Sequence, residues 1–243
     1  MDKKVRVLLV GSAFAADLHA DAYARIKDKA QIVGIVGRNT EKVKSLADRY
    51  GFTGYKAYDD YKRAIEEAEC DVVDICLPNF LHHEVAIAAL ERGRDVICEK
   101  PLATTVEDAE DMVATAKRVG RRIYYAEDWL GAPALTKALS LIESGAIGEL
   151  KFVRARECHC GSHSPYAQTK EYCGGGCMVH LGVHPVGFIL AIKENKWTEL
   201  VAMTSGGGEN NLVHKTMEGE DWAGALMRFA DGTTAVLESN YVT

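Results

Sequence analysis

Val5-Arg6-Val7-Leu8-Leu9-Val10-Gly11-Ser12-Ala13-Phe14-Ala15-Ala16 decides how the first half of the chain reads. Its first six residues form an almost continuous apolar run, as a strand buried on both faces does, and the run stops at a glycine. Residues 15–26 then carry a helical pattern. A dinucleotide-binding turn needs a glycine for its sharp bend. It also needs small residues where backbone approaches pyrophosphate and where the helix packs on the strand. Gly11 takes the first role, and Ala13 and Ala16 stand where the second and third glycines would be. Gly11, Ser12, Ala13 and Phe14 are therefore the candidate pyrophosphate cradle. The place of this turn, directly after the first strand, favours that reading over an ordinary small-residue turn.

The same alternation continues outward. Residues 31–36, 72–77, 95–98 and 123–126 read as buried strands, and 40–50, 58–68, 81–92 and 106–119 as helices. Gly51 and Gly93 serve as helix stops. Strands alternating with helices of about a dozen residues indicate a doubly wound parallel sheet. Sites in such sheets lie at the carboxyl ends of the strands. Gly11, Gly37-Arg38, Pro78-Asn79, Glu99-Lys100-Pro101 and Glu127-Asp128 are thus expected along one edge. The second strand ends without the acid that usually holds the ribose hydroxyls of NAD. Arg38 stands there instead and suits a 2′-phosphate, so NADP is favoured over NAD. A solvated surface arginine is the plain alternative. Lys100, at the end of the fourth strand, is either half of a surface ion pair with Glu99 or a proton donor and acceptor beside a cofactor.

The pattern changes near residue 130, which divides the chain into a Rossmann domain (1–130) and a second, α+β domain (131–243). Residues 133–144 read as a helix. Residues 150–156, 198–205, 222–229 and 233–239 alternate as half-exposed strands do, with Asp231-Gly232 as a hairpin turn. The second sheet is expected to be mostly antiparallel and open. After Gly174-Gly175-Gly176 a helical pattern puts His180 and His184 on one face, as a metal or proton site or as plain packing.

Composition narrows the classes. A net charge of −6, with no run of Lys and Arg, argues against nucleic acid. No stretch of about 18 apolar residues offers a membrane span. Residues 1–6 lack the apolar stretch of a signal peptide. Seven cysteines is an odd number, and Cys70, Cys76 and Cys98 lie in apolar segments. Free thiols in a reducing, cytoplasmic compartment are expected.

Residues 71–82 (DVVDICLPNFLH) run into 88–103 (AALERGRDVICEKPLA), and 141–149 (LIESGAIGE) follows. Together with the triple-glycine helix, in this order, they resemble the glucose–fructose oxidoreductase/inositol dehydrogenase (Gfo/Idh/MocA) family. The resemblance spans the whole chain. It implies a Rossmann domain followed by an α/β domain whose open sheet often mediates oligomers, here a homodimer or tetramer. It implies NAD(P)-dependent oxidation or reduction of a sugar, cyclitol or related hydroxyl. Lys100 matches the family's catalytic lysine and His184 its catalytic histidine. Leu77, Pro78, Asn79, His82 and Glu99 match positions around the nicotinamide.

The chain departs from the family pattern at several places. His180 stands where the family commonly has Asp, and Glu127-Asp128 where it commonly has Asn-Arg. The loop Glu157-Cys158-His159-Cys160-Gly161-Ser162-His163 is rich in ligand-type side chains, although its Cys-x-Cys spacing is not that of a zinc ribbon. Glu127, Glu157 and His184 are candidate ligands of a divalent Zn, Mn or Fe ion that would polarise the substrate oxygen. A polar sugar pocket without an ion is the alternative. Family members usually run on beyond a strand like the last one here, so a fragment is expected. Besides a dehydrogenase, two rivals stand. One is a redox-cycling enzyme that cleaves or eliminates with tightly held NAD. The other is a dinucleotide-binding regulator, which the presence of Lys100 and His184 disfavours.

Overall fold

The computed structural model describes residues 3–162 and 164–243. His163, one of the ligand-type side chains noted above, lies outside the described residues. The chain forms two compact units, the first ending at Ala126 and the second running Glu127–Thr243.

The first unit contains β1 (Val5–Val10), α1 (Phe14–Arg25), β2 (Ala30–Val36), α2 (Thr40–Tyr50), β3 (Lys56–Tyr58), α3 (Tyr61–Glu67) and β4 (Val72–Ile75). It continues with α4 (His82–Glu91), β5 (Asp95–Glu99), α5 (Val106–Val119) and β6 (Ile123–Ala126). All strand pairings are parallel, in the order β3-β2-β1-β4-β5-β6. Successive side chains of a strand point to opposite faces. Val7 and Leu9 therefore pack with Ala16 and Ala20 of α1 and Val43 and Leu46 of α2. Leu8 and Val10 pack on the other face with Ile65, Val85, Leu90 and Met112. Helix starts are set locally: the side chains of Asn39, Asp60 and Thr105 accept the N–H groups of Lys42, Arg63 and Asp108. β3 was not expected. It is three residues long, and its first two are exposed, so no apolar run marks it.

Reversal of strand order lies between β1 and β4, where doubly wound sheets open a crevice. Gly11 sits at this point. Its φ of +137° is one that side-chain-bearing residues rarely adopt, and a Cβ there would stand 2.2 Å from the carbonyl oxygen of Cys76. The glycine is needed because the ends of β1 and β4 come together at that spot.

The second unit holds α6 (Pro133–Glu143), β7 (Phe152–Cys158), α7 (Lys170–Cys173), α8 (Cys177–His180), α9 (Val183–Lys193), β8 (Trp197–Thr204), β9 (Trp222–Phe229) and β10 (Thr234–Asn240). Its sheet has the order β7-β10-β9-β8. The β8/β9 and β9/β10 pairs are antiparallel, and β10 pairs with β7 in parallel. The parallel pair is possible because a long helical stretch separates β7 from the meander and lets the chain cross over. Ile189 of α9 packs with Val153, Ala155, Phe229 and Leu237. Leu200, Val201, Met203 and Leu226 remain exposed on the sheet.

The helix expected to carry both His180 and His184 is broken. α8 ends at His180, Leu181 and Gly182 interrupt it, and α9 starts at Val183. The helical stretches on either side of the break bend by 50°. A one-helix spacing of i and i+4 therefore does not apply, and the two rings do not share a face. Among the described residues no single helix is long and apolar enough to cross a membrane.

Candidate active site

In the first unit, the β1–α1 turn has the features a phosphate needs. α1 opens after Ala13, whose side chain has no group to cap the first turn. A helix start leaves several N–H groups without an intrahelical acceptor, and such groups suit a pyrophosphate oxygen. Ala13 and Phe14 are exposed beside it, and Ser12 is half-buried. Gly37, at the end of β2, is pressed against Ser12, since a Cβ there would lie 2.6 Å from its Oγ. Arg38 follows, exposed, with Asn39 committed to capping α2.

Pro78 and Asn79 follow β4, and Lys100 follows Glu99 at the end of β5. Leu77, Pro78, Asn79, Glu99 and Lys100 are all half-buried. Glu99 has further partners besides the neighbouring lysine side chain. One Glu99 oxygen accepts from His19 at 3.1 Å, and the other accepts the backbone N–H of Lys100 at 2.9 Å. His82 is fully buried. Its Nδ1 lies 2.8 Å from the carbonyl oxygen of Pro101, and its Nε2 lies 2.9 Å from that of Leu77. Burial pushes the pKa of this ring down, so it is neutral at pH 7 and donates to one of these two acceptors. The ring has no exposed surface. Its service to the site is to brace the turn that carries Lys100.

Within the second unit, Glu127 and His184 are both nearly buried, and Nδ1 of His184 stands 2.5 Å from Oε1 of Glu127. The same carboxylate accepts the N–H groups of Trp129 and Leu130 at 3.2 and 3.3 Å. Gly187 makes room for it, since a Cβ there would lie 3.2 Å from Oε2. The Trp129 ring stacks on His184 with centroids 5.8 Å apart. Asp128, largely exposed, brings Oδ1 to 3.3 Å from the same Nδ1. A carboxylate that holds Nδ1–H leaves Nε2 as the nitrogen that exchanges a proton. An unpaired carboxylate buried this deeply would cost several kcal/mol, so the three donors around Glu127 explain its presence.

Two expectations about this region change. Glu157 does not join Glu127 and His184; it lies within β7, and its Oε1 is 2.8 Å from Nε2 of His159 just beyond the strand. Asp128 takes its place in the group whose ligand atoms lie within 4.8 Å of one another. Two atoms bound to one ion at about 2.0–2.2 Å stand more than 3 Å apart in a tetrahedron. The 2.5 Å between His184 and Glu127 is thus a hydrogen-bond distance. His180 is also elsewhere, 3.6 Å from the Cys173 sulfur and tilted against the Tyr241 ring.

Two models of known families cover nearly all of the chain. Residues 5–127 match "Oxidoreductase family, NAD-binding Rossmann fold", and residues 135–243 match "GFO/IDH/MocA C-terminal domain". The chain belongs to the Gfo/Idh/MocA family. It is 28% identical to the D-glucoside 3-dehydrogenase of Escherichia coli K12, over 98% of this chain and 70% of that protein. It is also 28% identical to the levoglucosan dehydrogenase of Pseudarthrobacter phenanthrenivorans, over 99% of this chain and 70% of that protein. A solved structure of levoglucosan dehydrogenase with NADH and levoglucosan superposes with a TM-score of 0.87, at 27% identity, over 99% of this chain and 68% of that one. An uncharacterized oxidoreductase of Rhizobium meliloti is 30% identical over 75% of this chain, a match that spans 54% of its own length. The strand-end turn at Gly11, directly before α1, is the candidate place for the dinucleotide phosphates.

Sequence reasoning missed the partners of Glu99. His19 and Tyr23 on α1 and Asp74 on β4 form a buried hydrogen-bonded group with it. Asp74 was the available signal: an acid in the middle of an apolar strand has to be matched by donors from a neighbouring element.

Proposed function

We propose that the protein transfers hydride between a nicotinamide dinucleotide and a secondary hydroxyl or keto carbon of a sugar, cyclitol or related polyol. The observation that carries this reading is the buried Glu127–His184 pair. It fixes an imidazole in one tautomer with Nε2 left for proton exchange, which is the arrangement a general acid–base needs. Family membership and the names of the sugar dehydrogenases it resembles support the substrate class. The bound dinucleotide supplies the hydride acceptor or donor. Lys100 and His184 take up the hydroxyl proton in oxidation and return it in reduction, and Glu127 holds His184 in place. His180, paired with Cys173, has no part in this scheme.

The cofactor preference follows from the end of β2. No carboxylate stands there to hold ribose hydroxyls, and Arg38 offers a cation to a 2′-phosphate, so we favour NADP over NAD. Arg38→Ala is expected to raise the Kd of NADP(H) by about tenfold or more and to change that of NAD(H) by less than about threefold. Fluorescence titration with both cofactors reads this directly. Equal effects on the two would return Arg38 to the role of a surface residue.

The exposed Leu200, Val201, Met203 and Leu226 support self-association through the second sheet. Sedimentation velocity is expected to show a dimer or tetramer, and Met203→Glu to shift it toward monomer. Metal analysis of the purified protein addresses the Glu127–Asp128–His184 group. Near-stoichiometric Zn, Mn or Fe would make this group an ion site instead of a hydrogen-bonded pair.

A further inference from the structure

His19 lies in α1, the helix that opens directly behind the dinucleotide turn, and reaches two carboxylates on two strands. Its Nδ1 stands 2.8 and 3.0 Å from the two oxygens of Asp74, and its Nε2 stands 3.1 Å from Glu99. Asp74 is completely buried, and it also accepts the Tyr23 hydroxyl at 2.8 Å. The Cys76 thiol lies 3.8 Å away and is held protonated by burial. With a carboxylate at each ring nitrogen, only a doubly protonated ring donates to both. The other oxygen of Glu99 accepts the backbone N–H of Lys100.

We propose that the Asp74–His19–Glu99 chain is a charged clamp that positions Lys100, with His19 as the cationic positioning residue at its centre. The proposal rests on the reading of Lys100 as the proton-handling lysine. The clamp acts on the N-terminal side of the Lys100 turn, and His82 braces the C-terminal side through Pro101. It also ties the turn to α1, so the element behind the phosphates and the element carrying the lysine move as one. The ionisable groups facing the ring are Asp74 from β4, Cys76 directly after it, Glu99 from β5, and Tyr23 on its own helix. Burial pulls the His19 pKa down. The hydrogen bonds to Asp74 and Glu99 outweigh it and raise the pKa to about 10. Glu99 is raised by burial but brought below the usual carboxylate range by His19 and the Lys100 N–H.

A histidine whose pKa rises on folding stabilises fully below its unfolded value of about 6.5 and loses that contribution as pH climbs toward the folded value. Charge balance beside Lys100 is therefore constant across the neutral range. Without the His19 cation, the Glu99 carboxylate beside Lys100 is no longer balanced, favours the protonated lysine, and moves the base-dependent limb of the rate profile to higher pH.

Two measurements test the clamp. In the wild-type protein, ¹⁵N NMR of the His19 ring at pH 8 is expected to show both nitrogens protonated; one unprotonated nitrogen overturns the proposal. In His19→Asn, which keeps a donor toward Asp74 but none toward Glu99, kcat at pH 7 is expected to fall at least about tenfold. Its rate limb should shift upward by about one pH unit, with the dinucleotide KM changed less than about threefold. A wild-type pH profile in that variant also overturns it. If Lys100→Met leaves turnover intact, the reading of Lys100 fails, whereas the nitrogen signals still report whether the clamp exists.

Discussion

Replacing Lys100 with Met lowers turnover by about 10³-fold or more and leaves dinucleotide binding nearly unchanged. Methionine keeps the length and the apolar stem of the side chain, so packing survives while the proton-carrying nitrogen is lost. A positioned acid–base group contributes about 10²–10⁴-fold, and a lysine that carries the substrate proton lies at the upper end. The backbone of the turn does not depend on the ammonium. Glu99 holds the Lys100 N–H, and His82 meets the Pro101 carbonyl. The fall should appear equally in kcat and kcat/KM for the sugar, as expected for an interaction made in the transition state. Steady-state kinetics with a parallel cofactor titration checks both parts. Turnover within about threefold of wild type would remove Lys100 from the chemistry.

Glu127→Gln is the second large effect, a loss of about 10²–10⁴ in kcat with the sugar KM nearly constant. The amide has the volume of the carboxylate, and with its oxygen in the Oε2 position it still accepts the Leu130 N–H. Turned to His184, however, it presents an NH₂ as readily as an oxygen. That NH₂ donates to Nδ1 and forces the proton onto Nε2, the nitrogen needed as a base. Glu127 is thus a positioning residue acting through His184. Ring-nitrogen NMR of His184 should show the tautomer change while the thermal midpoint moves by only a few degrees. An unchanged tautomer with unchanged kcat would leave the 2.5 Å contact a structural one.

The Rossmann half was legible because its strands are buried on both faces, which writes them into the sequence as apolar runs. β1, β2, β4 and β5 are found that way, and Gly51 is found as a stop because only a left-handed residue ends α2 as it does. β3 left no such trace. In the second unit the strands alternate, and alternation gives the strand but not its neighbour, so the parallel β7/β10 pair was invisible. The break between His180 and His184 was masked by an apolar pattern that runs through it without interruption. Glu127 and His184, two of the three candidate ligands, stand 2.5 Å apart. The third candidate, Glu157, ends up near the close of β7 and meets His159 two residues on, a local pairing that motif spacing does not reveal. His19 escaped notice for the opposite reason: its partners lie 55 and 80 residues away in the chain.

The account stands most directly on absorbance at 340 nm during turnover, read beside chromatography of the sugar, with D-glucosides and levoglucosan as first substrates and both NADP⁺ and NAD⁺ as acceptors. The expected result is one reduced dinucleotide formed for each keto sugar produced, reversed when the keto sugar is supplied with NADPH. Sugar consumed with no net change at 340 nm would contradict it and show the dinucleotide to be recycled within each turnover, as a cleaving or eliminating enzyme requires.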